Sequence, residues 1–334
     1  VPARLTRGFE EAGCEVVPVR ASFRGAGRVA ALLRMNWAEE SANPLFAAAC
    51  GAVASRALRR GDRLDGVVAI GSGYSLSTAL PVVTFEDMTL AQALRQGEPP
   101  YGTLRSRAAE RWLTRQRQIY EGSRGCCVAS AWAAASVQED YGIAAAKVHV
   151  VGVGRNIEAG RPERDWSVPH FLFVGADWQR KRGAAVVDAF AAVRERYPQA
   201  TLDLVGNHPS VDIPGVIPHG RLPLGSSEGQ RRYGELLHGA TCFLMPSTHE
   251  PFGIAYLDAG ASGLPSIGTT VGGAPEAVGP GGLVVDPGDP DALPAAMLDL
   301  ADPATARRLG ERAYEHAAAY TWRATAERLL GVLL

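Results

Sequence analysis

The segment Cys242-Phe-Leu-Met-Pro-Ser-Thr-His-Glu-Pro-Phe-Gly-Ile-Ala-Tyr-Leu-Asp258 constrains this chain more than any other. Thr241 to Met245 is an apolar run of the length of a buried strand. Pro246 and Ser247 end it, and a loop follows with His249 and Glu250. An apolar-periodic segment then starts at Pro251, which a helix accepts in its first turn because the missing N–H would have no partner there. Gly263-Leu-Pro265 closes that helix. The pattern is strand, loop, helix. It leaves the N–H groups of Phe252, Gly253 and Ile254 unpaired at the helix start, a ready site for an anion, phosphate above all. Gly253 has no side chain to hold a ligand away.

Two carboxylates bracket the helix start, Glu250 just outside and Asp258 eight residues on. Along a helix they stand about 12 Å apart, whereas paired glycosidase carboxylates sit roughly 5–9.5 Å apart. An acid/base pair is therefore a poor fit. Flanking a phosphate cradle, the two acids are placed to accept hydrogen bonds from hydroxyls on both its sides. A nucleotide-sugar has such hydroxyls, on the sugar and on the ribose. Taken alone, the stretch is also compatible with a Pro-started core helix carrying two surface acids.

The segment resembles the Glu-x7-Glu signature of retaining GT-B glycosyltransferases of family 4 (glycosyl transferases group 1), with Asp258 in place of the second Glu. The resemblance implies that Glu250 touches the donor sugar and Asp258 the ribose.

A chain of 334 residues is long for one core and fits two domains. No apolar run approaches the roughly eighteen residues of a membrane span, and no signal peptide opens the chain. Five scattered cysteines make no disulfide framework, and the adjacent Cys126-Cys127 cannot clasp a metal in the usual spaced fashion. The expected compartment is a reducing cytoplasm. The net charge of −1 divides into 18 Lys/Arg against 14 Asp/Glu over residues 1–150 and 16 against 21 over 151–334. That is not the profile of a nucleic-acid binder. Only Lys147 and Lys181 are lysines among the 34 basic residues, and the Arg, Ala and Gly usage points to a GC-rich bacterial genome.

The chain opens on a helical pattern (Leu5, Phe9, Ala12) ended by Gly13, and Cys14 to Val19 reads as a strand. An α/β domain of this kind begins with a strand and a Gly-rich turn, as does the family. The expectation is that this first strand and glycine loop are missing from the chain. Residues 24–60 read as Ala/Arg-rich helices with breaks at Asn36-Trp37 and Asn43-Pro44. Leu64 to Ile70 is a strand, followed by Gly71-Ser-Gly-Tyr-Ser75, a tight turn or a glycine loop. The strand Pro81 to Phe85 ends in Glu86-Asp87, where carboxylates face the ligand crevice of an open α/β sheet. Glu86 and Asp87 are therefore candidate ligand residues, with a turn cap by Asp87 as the alternative; many family members have here a His that contacts the donor sugar, and this sequence departs from that pattern. The helix 103–121 carries Arg107, Arg111 and Arg115 at i, i+4 spacing. It fits a solvated face, an anionic acceptor or weak contact with the inner membrane surface. Strands at Cys126–Ser130 and Lys147–Val151 flank a Ser-capped helix, Trp132 to Tyr141.

The polar segment 157–168 reads as an interdomain hinge. After it, His170 to Val174 is a strand, then come the loop Gly175-Ala-Asp-Trp-Gln-Arg-Lys-Arg-Gly183 and a helix from Ala184 to Tyr197. Lys181 there sets a compact charge toward a pyrophosphate. The loop resembles the family's Gly-Arg…Glu-Lys-Gly element, whose Lys grips the donor phosphates. Ala176 stands near the family's Arg, so Arg180 or Arg182 supplies the second charge. Strands at 201–205 and 216–219 precede Gly220-Arg221-Leu222, which the resemblance puts beside the nucleotide base. A helix at 231–237 precedes the central stretch, and strands at 265–268 and 283–285 follow it. The turn Gly272-Gly-Ala-Pro-Glu276 packs near the donor in the family.

The expected fold is α/β: GT-B, two doubly wound Rossmann-like domains facing across a cleft. Residues 1–156 form the acceptor-side domain, 169–318 the donor domain, and 319–334 a helix that crosses back. The expected activity is retaining transfer of a hexosyl-type sugar from a nucleotide-diphosphate sugar to a hydroxyl of a small-molecule, glycan or lipid acceptor. The resemblance implies no metal and no cofactor beyond that donor substrate. A nucleotide-sugar epimerase or hydrolase of the same fold, and a non-catalytic nucleotide-sugar-binding protein, stay open. Sugar, base, acceptor and oligomeric state are not legible.

Overall fold

The computed structural model describes residues 2–21, 36–60, 64–97 and 100–334. The helical expectation for 24–35 lies outside the described residues. The chain divides into two compact units, Val1–Gly152 with Trp322–Leu334, and Val153–Thr321. Residues 157–168, hinge-like in composition, therefore belong to the second unit.

Among the described residues, the first unit holds four parallel strands in the order β1 (Val67–Ile70), β2 (Val82–Glu86), β3 (Gly125–Val128), β4 (Val148–Val150). The described helices before residue 152 are α1 (Pro2–Glu11), α2 (Trp37–Ala42), α3 (Pro44–Leu58), α4 (Leu90–Gln96), α5 (Ser106–Gly122) and α6 (Ala131–Glu139). Side chains at the ends set several of these boundaries. Asn36 with Glu39, and Thr89 with Gln92, form capping boxes on α2 and α4. Ser130 accepts from the Ala133 N–H at the start of α6. Tyr120, Cys126, Val128, Val137 and Tyr141 pack as the core beneath β3. The strand expected at Cys14–Val19 does not form. Among the described residues the segment joins no ladder, Pro18 lacks the N–H a ladder needs, and Val17 and Val19 stand exposed.

The second unit holds six parallel strands in the order β10-β9-β8-β5-β6-β7. In chain order these are β5 (His170–Gly175), α7 (Gly183–Arg196), β6 (Thr201–Gly206), β7 (Val216–Gly220), α8 (Ser227–Gly239), β8 (Cys242–Leu244), α9 (Ile254–Ala261), β9 (Ser266–Thr269), α10 (Ala274–Val278), β10 (Gly282–Val285), α11 (Ala292–Ala301) and α12 (Pro303–Ala318). Parallel strands covered on both faces read as continuous apolar runs. Phe171, Phe173, Leu202, Leu204, Leu244 and Ile267 accordingly lie in one core with Phe190 of α7 and Met297 of α11. Asp203 interrupts that run. It is buried between His170 and His219, whose Nε2 atoms bond its two oxygens. Burial pushes its pKa up, and the two imidazoles outweigh burial and hold it below the ordinary value.

From β5 the chain adds β6 and β7 on one side, then returns to lay β8, β9 and β10 on the other. The order reverses between β5 and β8, and loops leaving neighbouring strands in opposite directions there open a crevice at their C-terminal ends. The last helix, α13 (Trp322–Leu333), belongs to the first unit. It packs on α1, where a Cβ at Gly8 would stand 2.4 Å from the Trp322 carbonyl oxygen.

Candidate functional site

Three loops converge at the reversal point of the six-stranded sheet. The first follows β5. The Asp177 carboxylate accepts from the Arg180 N–H at 3.1 Å and its carbonyl from the Lys181 N–H at 3.0 Å. Arg182 then takes a left-handed conformation, φ 57°, and α7 starts beneath the Trp178 indole. A Cβ at Gly183 would lie 2.2 Å from that ring, so only glycine fits.

The second loop follows β8 and is tied to the first. The Thr248 N–H donates to the Arg180 carbonyl at 2.8 Å, and Arg180 Nη1 donates to the His249 carbonyl at 3.1 Å. Lys181, only 8% exposed, reaches past Met245 Sδ at 3.1 Å to bond Glu250 Oε2. Arg180 Nη1 stands 3.4 Å from the same oxygen, and Ser247 Oγ donates to it at 3.3 Å. Burial pushes the Lys181 pKa below the ordinary lysine value, and the Glu250 charge opposes that fall.

The third loop follows β9 and fixes the Glu250 backbone. The Glu250 N–H donates to the Val271 carbonyl at 3.1 Å, and its own carbonyl accepts from Gly273 at 3.0 Å. A Cβ on Gly272, φ 97°, would sit 2.0 Å from the Glu250 carbonyl oxygen.

The helix after Glu250 starts at Ile254, three residues later than Pro251. Gly253 takes φ 91° and ψ 64°, which no helix continues, so Pro251 and Phe252 stay outside it. A Cβ there would meet the Tyr256 ring at 2.5 Å. Tyr256 is itself held by a 2.5 Å bond from its hydroxyl to the Met245 carbonyl. Among the described residues, the N–H groups of Phe252, Gly253, Ile254 and Ala255 meet no protein acceptor. The cradle thus includes the expected Phe252, Gly253 and Ile254 and extends to Ala255.

The structure brings Arg180, Lys181, Glu250 and this cradle together in one cluster. Arg182 is partly buried beside them, with no acceptor among the described residues for its buried Nη1. Asp258 is on α9 but turned to the segment after β4. Its Oδ1 accepts from the Asn156 N–H at 2.6 Å and the Ile157 N–H at 3.3 Å. Arg221 is exposed and Leu222 partly buried on the turn after β7, at the same edge of the sheet with β6 between them and β5.

Glu86 and Asp87 belong to the first unit. Glu86 ends β2, where Ser72 Oγ donates to it at 2.9 Å, Gln116 Nε2 at 3.4 Å, and the Tyr120 hydroxyl as well. Burial pushes its pKa up to about 7 against those donors. Asp87 is exposed. Ser247 and Asn156 carried no sequence signal, since serine and asparagine in loops are common. The glycine turn at Gly272-Gly273 proves to be a close approach to the Glu250 backbone.

Residues 168–302 match the family model described as glycosyl transferases group 1. D-inositol 3-phosphate glycosyltransferase of Corynebacterium urealyticum is 30% identical over 243 residues, which are 64% of this chain. The chain spans 57% of that relative's length. Among solved structures, WaaG, a glycosyltransferase involved in lipopolysaccharide biosynthesis, is similar with a TM-score of 0.64 at 18% identity, covering 85% of this chain and 82% of WaaG. Anabaena HepE, in complex with UDP and glucose, is similar with a TM-score of 0.57 at 18% identity, covering 76% of this chain and 71% of HepE. The fold is GT-B, with two parallel sheets of Rossmann-like kind. No helix among the described residues is long and apolar enough to cross a membrane.

Proposed function

We propose that this chain is a retaining glycosyltransferase that moves a hexosyl-type sugar from a nucleoside-diphosphate sugar to an acceptor hydroxyl. The observation that carries the proposal is the meeting of Lys181, Glu250 and the open N–H groups of α9 at the reversal point of the sheet. Cations and helix N–H groups hold a pyrophosphate. A carboxylate anchored by Lys181 is fixed in place to accept hydrogen bonds from sugar hydroxyls. The likeness of residues 168–302 to glycosyl transferases group 1 supports the same reading.

In this mechanism the bond from the anomeric carbon to the diphosphate oxygen breaks as the acceptor oxygen bonds that carbon on the same face. The acceptor proton passes to the departing phosphate oxygen. Lys181, Arg180, Arg182 and the N–H groups of Ile254 and Ala255 stabilise the charge that grows there, often the largest catalytic contribution. The cations supply that stabilisation without a metal or further cofactor. Arg221 and Leu222 serve the base, and Glu86 and Asp87 of the first unit serve the acceptor rather than the donor. The acceptor is a small molecule, a glycan or a lipid. The five free cysteines fit a reducing cytoplasm, and the exposed Arg107 and Arg111 of α5 fit light contact with an anionic membrane face.

The test is product stereochemistry. With the donor of the base class that binds, proton NMR of early product should show the donor's anomeric configuration. Inverted product would remove the retaining assignment, and nucleotide release without any glycoside would favour a hydrolase.

A further inference from the structure

Asp258 occupies the place of the acid that the family aligns with ribose, yet the structure gives its oxygens other work. It is 3% exposed. Besides the N–H groups of Asn156 and Ile157, the Asn156 Nδ2 stands 3.4 Å from its Oδ2. A carboxylate offers about four lone-pair sites, and one short segment uses three of them. The same segment is fastened to α9 further along. The Gly160 N–H donates to the Ala261 carbonyl at 2.9 Å. Arg164 Nη2 donates to the Ser262 carbonyl at 2.9 Å, while its Nη1 donates to the Leu237 carbonyl at 3.1 Å. At its other end, Arg155 donates to the carbonyls of Ala317 and Tyr320. Residues 156–164 are thus fastened to the C-terminal half of α9 and its cap, from Asp258 to Ser262, and among the described residues Asp258 is the charged acceptor in these bonds.

We infer that Asp258 is a positioning residue, whose carboxylate holds residues 156–160 against α9 and thereby aims the N–H cradle at the other end of that helix. A rigid eight-residue helix, about 12 Å long, passes a tilt at one end directly to the other. The inference rests on the proposed function only for what the cradle binds. The seam itself does not depend on it.

Two measurements separate this role from ribose binding. The first is amide hydrogen exchange on the ligand-free chain. In Asp258→Asn the amide replaces an acceptor with a group that also donates, and exchange at Asn156, Ile157 and the first turn of α9 should quicken by about tenfold or more. In Asp258→Glu the longer side chain cannot keep the 2.6 Å contact in the same place. Exchange there should quicken too, although a ribose ligand would be preserved by that change. The second is calorimetry with inorganic pyrophosphate, which has no ribose. Both variants should bind it about tenfold more weakly than the parent chain.

Unchanged exchange at 156–157 in a folded Asp258→Asn chain overturns the inference, as does unchanged pyrophosphate affinity with a parent chain that binds. Quickened exchange in a chain whose parent binds neither pyrophosphate nor any nucleotide-sugar keeps the seam and removes the proposed function instead. Thermal melts of both variants guard against global unfolding as the cause.

Discussion

Glu86 and Glu250 are two glutamates at the C-terminal side of parallel strands, one in each unit, and their surroundings differ in kind. Glu86 is held by uncharged donors, Ser72, Gln116 and Tyr120, and burial lifts its pKa to about 7. Glu250 is held by Lys181 with Arg180 beside it. The sheets explain the contrast. In the four-stranded sheet the described strands run β1-β2-β3-β4 without reversal, whereas the six-stranded sheet reverses between β5 and β8. Only the reversal brings two strand-end loops face to face, one with the cations and the other with the acid and the helix start. Two carboxylates in the same place on a strand thus have unlike surroundings, uncharged donors in one unit and cations in the other.

The largest effect expected from breaking the contrast is at Lys181. Lys181→Ala should lower kcat/KM for sugar transfer by about 10²–10³, and steady-state kinetics would show it. Glu86→Gln, which keeps shape and donors, should leave donor affinity within about threefold.

Next in size is Gly272→Ala. The new Cβ would stand 2.0 Å from the Glu250 carbonyl oxygen in a left-handed backbone. The cost is about 1–3 kcal/mol, visible in a denaturant melt, with donor affinity lost alongside because Glu250 has to shift. The same substitution at Gly73, where nothing lies within 4 Å, should leave both unchanged.

The smallest effects are in pH dependence, and they have opposite signs in the two units. Glu86 has a pKa raised from 4.5 to about 7. Its contribution to stability is fully present below pH 4.5 and is lost as pH rises through 7. Asp203 is held below 3.8 by His170 and His219. Its contribution is present above that value and is lost as pH falls through the depressed one. Chemical-denaturation curves from pH 3 to 8 should show the stability gap between parent and Glu86→Gln shrinking upward, and the gap between parent and Asp203→Asn shrinking downward. Parallel curves for either variant would contradict the corresponding environment.

Much of this was legible in the sequence because it is local. Lys181 stood out as a lysine in a chain of arginines, within a strand, loop and helix pattern. Glu250 stood out by following a buried strand and preceding Gly253. The later helix start was not legible, because Pro251 suits a first turn and only the backbone shows Gly253 in a left-handed conformation. The partner of Asp258 lies 102 residues away in sequence, so the family resemblance pointed to ribose and no local spacing could point to Asn156. Cys14 to Val19 has strand composition, but a strand needs a neighbour to pair with. The donors around Glu86 come from the turn after β1 and from α5, and no local pattern announces such a gathering.

The most direct test of the central claim is a thermal-shift screen of UDP-, GDP-, ADP- and dTDP-sugars against the parent chain and Lys181→Ala. A ligand at about 100 times its Kd adds roughly 2.7 kcal/mol of stability, enough to read as a clear rise in Tm. The account predicts a rise with one base class in the parent and none in Lys181→Ala. A folded parent chain that responds to no donor, or a rise that survives loss of Lys181, would contradict it.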